Sequence, residues 1–200
     1  MCNAAAGARA PVHARDEVID MLRHDFGRVL AEFREFQQLD RSEAALAGQR
    51  IVQRTLAELK VIAAVEQKVL YPAVRNALKD TDLIDQSEIE HACIRRLIGE
   101  LEEAEPSRAG YPKDFRVLGE HVRLHALDEE HELFPALRDS DTDWERVYAS
   151  VRSCRAEMAE DLGVPQLAEV NHDVALPRFD LPIAAPASVD DELVDETAEA

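Results

Sequence analysis

The sequence is poor in the features that mark β-rich, disulfide-bonded or secreted proteins. Aromatic residues make up 5% of the 200-residue chain and charged residues 32%, a balance that favours a helical bundle over a β-sandwich. Cys2, Cys93 and Cys154 are odd in number and widely spaced, so they predict neither a disulfide framework nor a CxxC zinc pair. Free thiols are typical of a reducing compartment, and we therefore expect a cytoplasmic protein.

Long apolar runs and positive charge are also scarce. Residues 1–13 lack the apolar stretch of a signal peptide, and no segment approaches the length that spans a membrane. The 41 acidic residues outnumber the 23 basic ones and give a formal net charge of −18. Such a charge disfavours nucleic acid and anionic membranes as partners, and it favours cations or basic proteins.

Apolar residues recur from Asp16 onwards with the spacing of amphipathic helices. The first helix begins there, and Ser42 is the predicted N-cap of a second helix that runs to about Leu78. Further helices are predicted over residues 81–105, 113–138 and 141–162. Four antiparallel helices with short connections predict an all-α, up-down-up-down four-helix bundle, to which a short fifth helix is appended.

These elements divide the chain into four predicted parts. They are a flexible leader (1–13), the bundle (14–140), the additional helix (141–163) and a proline-containing acidic tail (164–200). The tail is predicted to be disordered, because prolines interrupt it and its end is strongly acidic. A segment such as Phe179-Asp-Leu-Pro-Ile within the tail could dock on a protein partner or on the bundle itself.

The predicted bundle contains a weak internal repeat. Residues 61–72, VIAAVEQKVLYP, align with LHALDEEHELFP at residues 124–135, which lie 63 positions later. Residues 19–36 align in the same way with residues 84–101, which lie 65 positions later. The first two helices therefore correspond to the third and fourth.

Both copies of the repeat carry a glutamate, Glu66 or Glu129, five residues before a Tyr-Pro or Phe-Pro pair. The second copy also contains Glu90-His91 and His125-x-x-x-Glu129. This pattern resembles the hemerythrin-like, HHE cation-binding family over about residues 15–140. The resemblance implies a four-helix bundle with a non-haem di-iron centre that binds oxygen or related small ligands. It also implies that one iron takes its histidines mainly from helices three and four, and the other from helices one and two.

The first copy departs from the family pattern. Phe26 stands where the second copy has His91, and Ile62 stands where it has His125. His24 does not replace them, because it lies about 200° round the helix from Phe26 and is expected to face outward. The ordinary di-iron centre is therefore not expected to be intact.

Six polar residues are nevertheless predicted to face the interior. Glu58 and His121 each lie one turn before a position of the motif and align with each other in the repeat, so we expect them to face each other. Buried carboxylates require a cation or hydrogen-bonding partners. The predicted set comprises Glu58, Glu66, His91, His121, His125 and Glu129.

Three hypotheses remain open from the sequence. In the first, His91, His125, Glu129 and Glu66 hold one ion of iron, or of manganese or zinc, while the other two residues hold a second ion or orient the ligands. In the second, such an iron processes peroxide or oxygen. In the third, the bundle has lost its metal and is a structural or regulatory interaction module. Tyr71 is interpreted as the ordinary aromatic residue of a helix end.

The first hypothesis is favoured. The resemblance to the family then implies the predicted role. The protein is expected to bind or sense a small ligand such as oxygen, nitric oxide or peroxide, or to sense iron itself.

Overall fold

The computed structural model describes residues 14–39, 46–79 and 81–165, and within these ranges all regular structure is helical. Its helices are α1 (Ala14–Gln38), α2 (46–74), α3 (Asp82–Glu103), α4 (111–139) and α5 (Trp144–Leu162). The first four form the bundle, and α5 packs against α1 and α2. The predicted all-α fold class, a four-helix bundle with an appended fifth helix, is confirmed. The predicted leader, Ser42 and the predicted tail beyond Pro165 lie outside the described residues.

Helices α2 and α4 are composite and share one unusual feature. The segments of α2 are Leu46–Val65, the π-helical Glu66–Leu70 and Tyr71–Val74. The segments of α4 are Tyr111–Asp128, the π-helical Glu129–Leu133, Phe134–Ala136 and the 3-10 turn Leu137–Asp139. Because the two π-helical segments begin at aligned positions of the repeat, the weak repeat of sequence is also a repeat of local structure.

Two apolar clusters fill the bundle and leave a polar layer between them. On α3, Ile94 belongs to the larger cluster and Ile84 to the smaller, and His91 lies between the two. On α4, Ala126 and Leu133 flank Glu129 in the same way. The larger cluster is built from α1 to α4, whereas the smaller one also includes side chains of α5.

Helix α5 is attached by apolar and ionic contacts. Val147 and Val151 are buried in the smaller cluster, and Trp144 packs half-buried against it. Further along the helix, Arg155 is buried and its guanidinium pairs with both carboxylate oxygens of Asp25 on α1, at 2.9 and 2.7 Å. No helix among the described residues combines the length and the apolarity that crossing a membrane requires.

Two glycines with open surroundings allow a matched test of where α3 continues and where α5 ends. Gly163 ends α5 at φ 66°, in the left-handed region, whereas Gly99 lies inside α3, and an added Cβ would meet nothing within 4 Å at either position. We expect Gly99→Ala to raise the free energy of unfolding by about 0.5–1 kcal/mol, because glycine weakens a helix interior. Gly163→Ala should lower it by about 1 kcal/mol, because alanine is strained at positive φ. Chemical denaturation of both variants measures the difference, and equal effects would contradict the helix assignments.

Candidate metal centre

The two π-helical segments begin at the glutamates of the polar layer. A proline lacks the N–H that an α-helix needs and its ring crowds the carbonyl four residues earlier, so Pro72 and Pro135 locally disturb the hydrogen-bond ladder. The Tyr71 N–H donates to the Glu66 carbonyl, and the Phe134 N–H donates to the carbonyl of the aligned glutamate, in the i to i+5 pattern of a π-helix. The wide turn allows Glu66 and Tyr71, five residues apart, both to be fully buried.

Glu66 meets two histidines from the second helix pair. His91 Nε2 lies 2.9 Å from Glu66 Oε2, and His125 Nε2 lies 3.9 Å from the same oxygen. The two imidazole rings stand edge to face, with centroids 4.5 Å apart. One donor atom from each of the three residues falls within 4.8 Å of the others, which is a grouping that could hold a metal ion.

Glu129 and Tyr71 complete the inner layer. Glu129 Oε1 lies 3.9 Å from His125 Nε2 and accepts a hydrogen bond from the Tyr71 hydroxyl at 2.8 Å. The same hydroxyl lies 3.0 Å from His91 Nε2. Tyr71 is therefore more than the aromatic residue of a helix end, because its hydroxyl contacts two of the predicted ligands. The Tyr-Pro pair gave no signal of this contact, which depends on the π-helical turn.

Several buried atoms of this layer that could bind a metal make no hydrogen bond of normal geometry, even though His91 Nε2 and Glu66 Oε2 lie close together. They are both carboxylate oxygens of Glu66, Oε2 of Glu129, Nε2 of His125 and Nδ1 of His91. Buried polar atoms are rarely left unsatisfied in folded proteins. Oxygen and imidazole nitrogen lone pairs that converge in a dry interior suit a cation, so the residues present fit a single metal ion.

A further carboxylate lies behind His125. Glu90 Oε2 is 2.8 Å from His125 Nδ1, where it accepts the ring proton and leaves Nε2 directed at Glu66. Carboxylates that hold the far nitrogen of an imidazole orient it for metal binding. The sequence offered one hint of this role, because Glu90 directly precedes His91, but it did not identify His125 as the contact.

The charges of the layer follow from burial and mutual contact. Burial opposes ionisation of Glu66, but the imidazoles of His125 and His91 outweigh it and lower the pKa of this carboxyl. Burial and the charge of Glu66 together raise the pKa of Glu129 well above its ordinary value. Burial also opposes protonation of His125, but Glu129, Glu66 and Glu90 outweigh it and raise its pKa to about 10. These pKa shifts favour an ionised Glu66 beside a protonated His125 in the metal-free layer, and a neutral Glu129.

The expectation that Glu58 and His121 face each other inside the bundle is wrong. Each contacts its own helix pair instead: Glu58 Oε2 lies 3.1 Å from an Arg28 guanidinium nitrogen, and His121 Nδ1 lies 3.9 Å from Cys93 Sγ. These contacts are equivalent in the repeat, since residues 28 and 93 also align. Glu58 is 3% exposed, whereas His121 is exposed.

The burial pattern of α4 explains the error for His121. Its buried stripe steps back from His125 to Val122 and then to Leu118, by three and then four residues. Because buried positions follow each other by three or four residues, a residue found by always stepping back four does not stay in the buried stripe. His121 therefore lies on the flank of the stripe. Helix α5 covers the corresponding flank of α1 and α2 but not that of α3 and α4, which accounts for the different exposures.

The remaining predicted positions lie as follows. Phe26 and Ile62 are both buried in the larger apolar cluster, and the Phe26 ring contacts the His125 ring with centroids 5.6 Å apart. His24 is half-buried on α1 and His131 is exposed on α4. The structure thus brings Glu66, His91, His125 and Glu129 together, and it separates Glu58 and His121 from them.

Comparison with known proteins gives two matches. Residues 17–137 match the family model described as Hemerythrin HHE cation binding domain. A crystal structure of a Hemerythrin HHE cation binding domain-containing protein from Mycobacterium kansasii is similar, with a TM-score of 0.58 and 20% sequence identity over 76% of this chain and 93% of that chain. At this identity the likeness concerns the fold alone. No curated protein matches the sequence.

The raised pKa of His125 predicts how the stability of the metal-free protein depends on pH. The contribution of the charged imidazole is complete below the ordinary pKa of 6.5 and is lost as the pH rises towards the folded value of about 10. We expect the thermal midpoint to fall across this interval and to fall less in His125→Gln. His121→Gln, which changes an exposed histidine of the same helix, should keep the slope of the natural protein. Identical slopes in all three proteins would contradict the assignment.

Proposed function

The chain belongs to the hemerythrin HHE cation-binding family, because the family model matches more than half of its length, and from this premise we propose that it binds one non-haem iron ion. The observation that carries the proposal is the fully buried Glu66 carboxylate, whose Oε2 lies 2.9 Å from Nε2 of His91 and 3.9 Å from Nε2 of His125, in a group whose ligand atoms lie within 4.8 Å of one another. Glu129 is the proposed fourth ligand. A single ion in this place would satisfy lone pairs that are otherwise buried without partners.

The donor set favours iron over the alternatives. The two imidazoles and the Glu66 carboxylate match the two-histidine, one-carboxylate arrangement with open positions that is typical of non-haem ferrous sites, and Glu129 would add a fourth ligand. Structural zinc sites prefer closed tetrahedral sets that are often rich in cysteine, and neither Cys93 nor Cys154 is among the residues of the group. Manganese accepts similar ligands, so the metal that is bound must be identified by elemental analysis.

The surroundings of the site favour a small, uncharged ligand. Phe26 and Ile62, from the first half of the bundle, belong to the same apolar cluster. Phe26 is 2% exposed, and its ring contacts the ring of His125. Apolar walls exclude water and offer no partner to a large polar substrate. We propose that the protein binds or senses oxygen, nitric oxide or peroxide. When bound, ferrous iron would supply an open coordination position and could donate electron density to such molecules, and Tyr71 would offer its hydroxyl beside it.

A metal-free interaction module is the second candidate, and one observation favours it. Tyr71 already bridges Glu129 and His91, so part of the polar layer is satisfied by contacts within the protein. If the third hypothesis is correct, the layer would serve to fix the register of the helices. The metal content of the protein distinguishes the two candidates.

Metal content per chain is the test of the site. Protein purified without a histidine tag should contain about one iron per chain, with its ferric form absorbing in the visible range. We expect His125→Ala to lose most of this metal while the helical circular dichroism is retained, because one of two imidazole ligands is removed. His121→Ala is the matched control on the same helix and should keep the metal. Metal retained in both variants would refute the site, and no metal in any protein after anaerobic ferrous loading would favour the second candidate.

Glu90 provides a finer test, since it does not belong to the ligand set. Glu90→Ala removes the acceptor for His125 Nδ1 and should weaken metal binding by about tenfold to a hundredfold. Glu88→Ala is the control, because Glu88 is an exposed carboxylate on the same helix that pairs with Arg75. Competition with a metal chelator of known affinity measures both. Equal affinities in the two variants would show that the orientation of His125 does not depend on Glu90.

A further inference from the structure

The two halves of the repeat give an aligned carboxylate different partners. Asp25 on α1 aligns with Glu90 on α3, and both lie one residue before the position that is His91 in the second half. In the second half, Glu90 holds the ring nitrogen of His125 at 2.8 Å. In the first half the position aligned with His125 is Ile62, which offers Asp25 no donor.

Asp25 takes its donor from the appended helix instead. Its two carboxylate oxygens lie 2.9 and 2.7 Å from Nε and an Nη atom of Arg155, in a bidentate pair. Asp25 is 3% exposed and Arg155 is 9% exposed, so this is a buried ion pair. Bidentate guanidinium–carboxylate pairs are among the strongest and most directional ion pairs in proteins.

A second guanidinium continues the same cluster. Arg28 lies 3.1 Å from the buried carboxylate of Glu58 and 3.9 Å from that of Asp25. The outer cluster of the first half therefore contains two carboxylates and two guanidiniums. The polar layer around His91 and His125 instead has three carboxylates, of Glu66 from the first half and of Glu90 and Glu129 from the second, set against two imidazoles. Two guanidiniums thus face the carboxylates of Asp25 and Glu58, whereas the three carboxylates of the polar layer outnumber the two imidazoles that face them, which favours a metal cation there.

We propose that Arg155 is a specificity-determining residue that limits the bundle to one metal ion, because it occupies the carboxylate that a second imidazole ligand would need for its orientation. The inference rests on the proposed metal-binding function. If the proposal is correct, two features together prevent a second metal ion from binding: histidines are missing at positions 26 and 62, and Arg155 occupies Asp25. Helix α5 then contributes a fixed internal cation to the half of the bundle that it covers.

The decisive experiment restores the missing histidines with and without the guanidinium. Phe26→His with Ile62→His supplies imidazoles at both aligned positions. The number of Co²⁺ ions bound per chain is measured by equilibrium dialysis and elemental analysis. We expect one ion in this double variant, two when Arg155→Gln is added, and one when Arg155→Lys is added instead, because lysine keeps the charge.

Either of two results would overturn the inference. Two ions in the double variant with Arg155 in place would mean that the histidines alone decide the number of ions. One ion in the Arg155→Gln combination, with the helical circular dichroism of the natural protein, would mean that Arg155 excludes nothing. Failure of the proposed function is recognised separately, since the natural protein would then bind no Co²⁺ at all.

A measurement without core histidines covers the case in which those variants do not fold. In the metal-free natural chain, Arg155→Gln should lower the thermal midpoint, because the carboxylate of Asp25 remains buried with only the more distant Arg28 nearby. Adding Asp25→Asn should restore much of the loss, since an amide needs no cation. If the double variant is no more stable than Arg155→Gln alone, Arg155 acts through packing and the inference is wrong.

Discussion

The burial of the Glu66 carboxylate is the constraint on which the rest of the bundle depends. A charged group with no exposure to solvent must be compensated within the protein or by an ion, and each neighbouring feature contributes to that compensation. His91 and His125 approach it from two helices of the other pair. The π-helical turn that begins at Glu66 brings Tyr71 into the same layer, and two apolar clusters exclude water on either side.

The repeat explains why this layer is asymmetric. The two halves share the positions of their prolines, their π-helical segments and their glutamates, which are features of the backbone. They differ in the side chains that supply donors, with imidazoles in one half and an apolar pair together with guanidiniums in the other. The outer face of the first half is also the one that α5 covers. We infer that the appended helix and the apolar residues Phe26 and Ile62 act together, because Arg155 pairs with the carboxylate that an imidazole at position 62 would need.

Much of the fold and part of the site could be predicted from the sequence, for identifiable reasons. Helical periodicity reports the buried face of a helix directly, so the five helices were found with their ends displaced by a few residues. His91, His125 and Glu129 carry a motif with fixed spacing. His121 was placed wrongly because counting by four residues ignores the slower drift of a packed stripe. Tyr71 and Arg155 could not be predicted, since their contacts depend on a π-helical turn and on the docking of a distant helix.

The contacts within the polar layer also bear on how metal and folding are related. In small zinc domains the chain folds only when the metal is bound, because little else stabilises the fold. Here the two apolar clusters supply a core, and the Tyr71 hydroxyl contacts both Glu129 and His91. An ion coordinated by Nε2 of His91 would have to replace its contact with the Tyr71 hydroxyl and displace protons from the layer. Metal binding would therefore exchange these contacts and protons for ligation of the buried atoms that make no hydrogen bond, and we expect the fold itself not to require the metal.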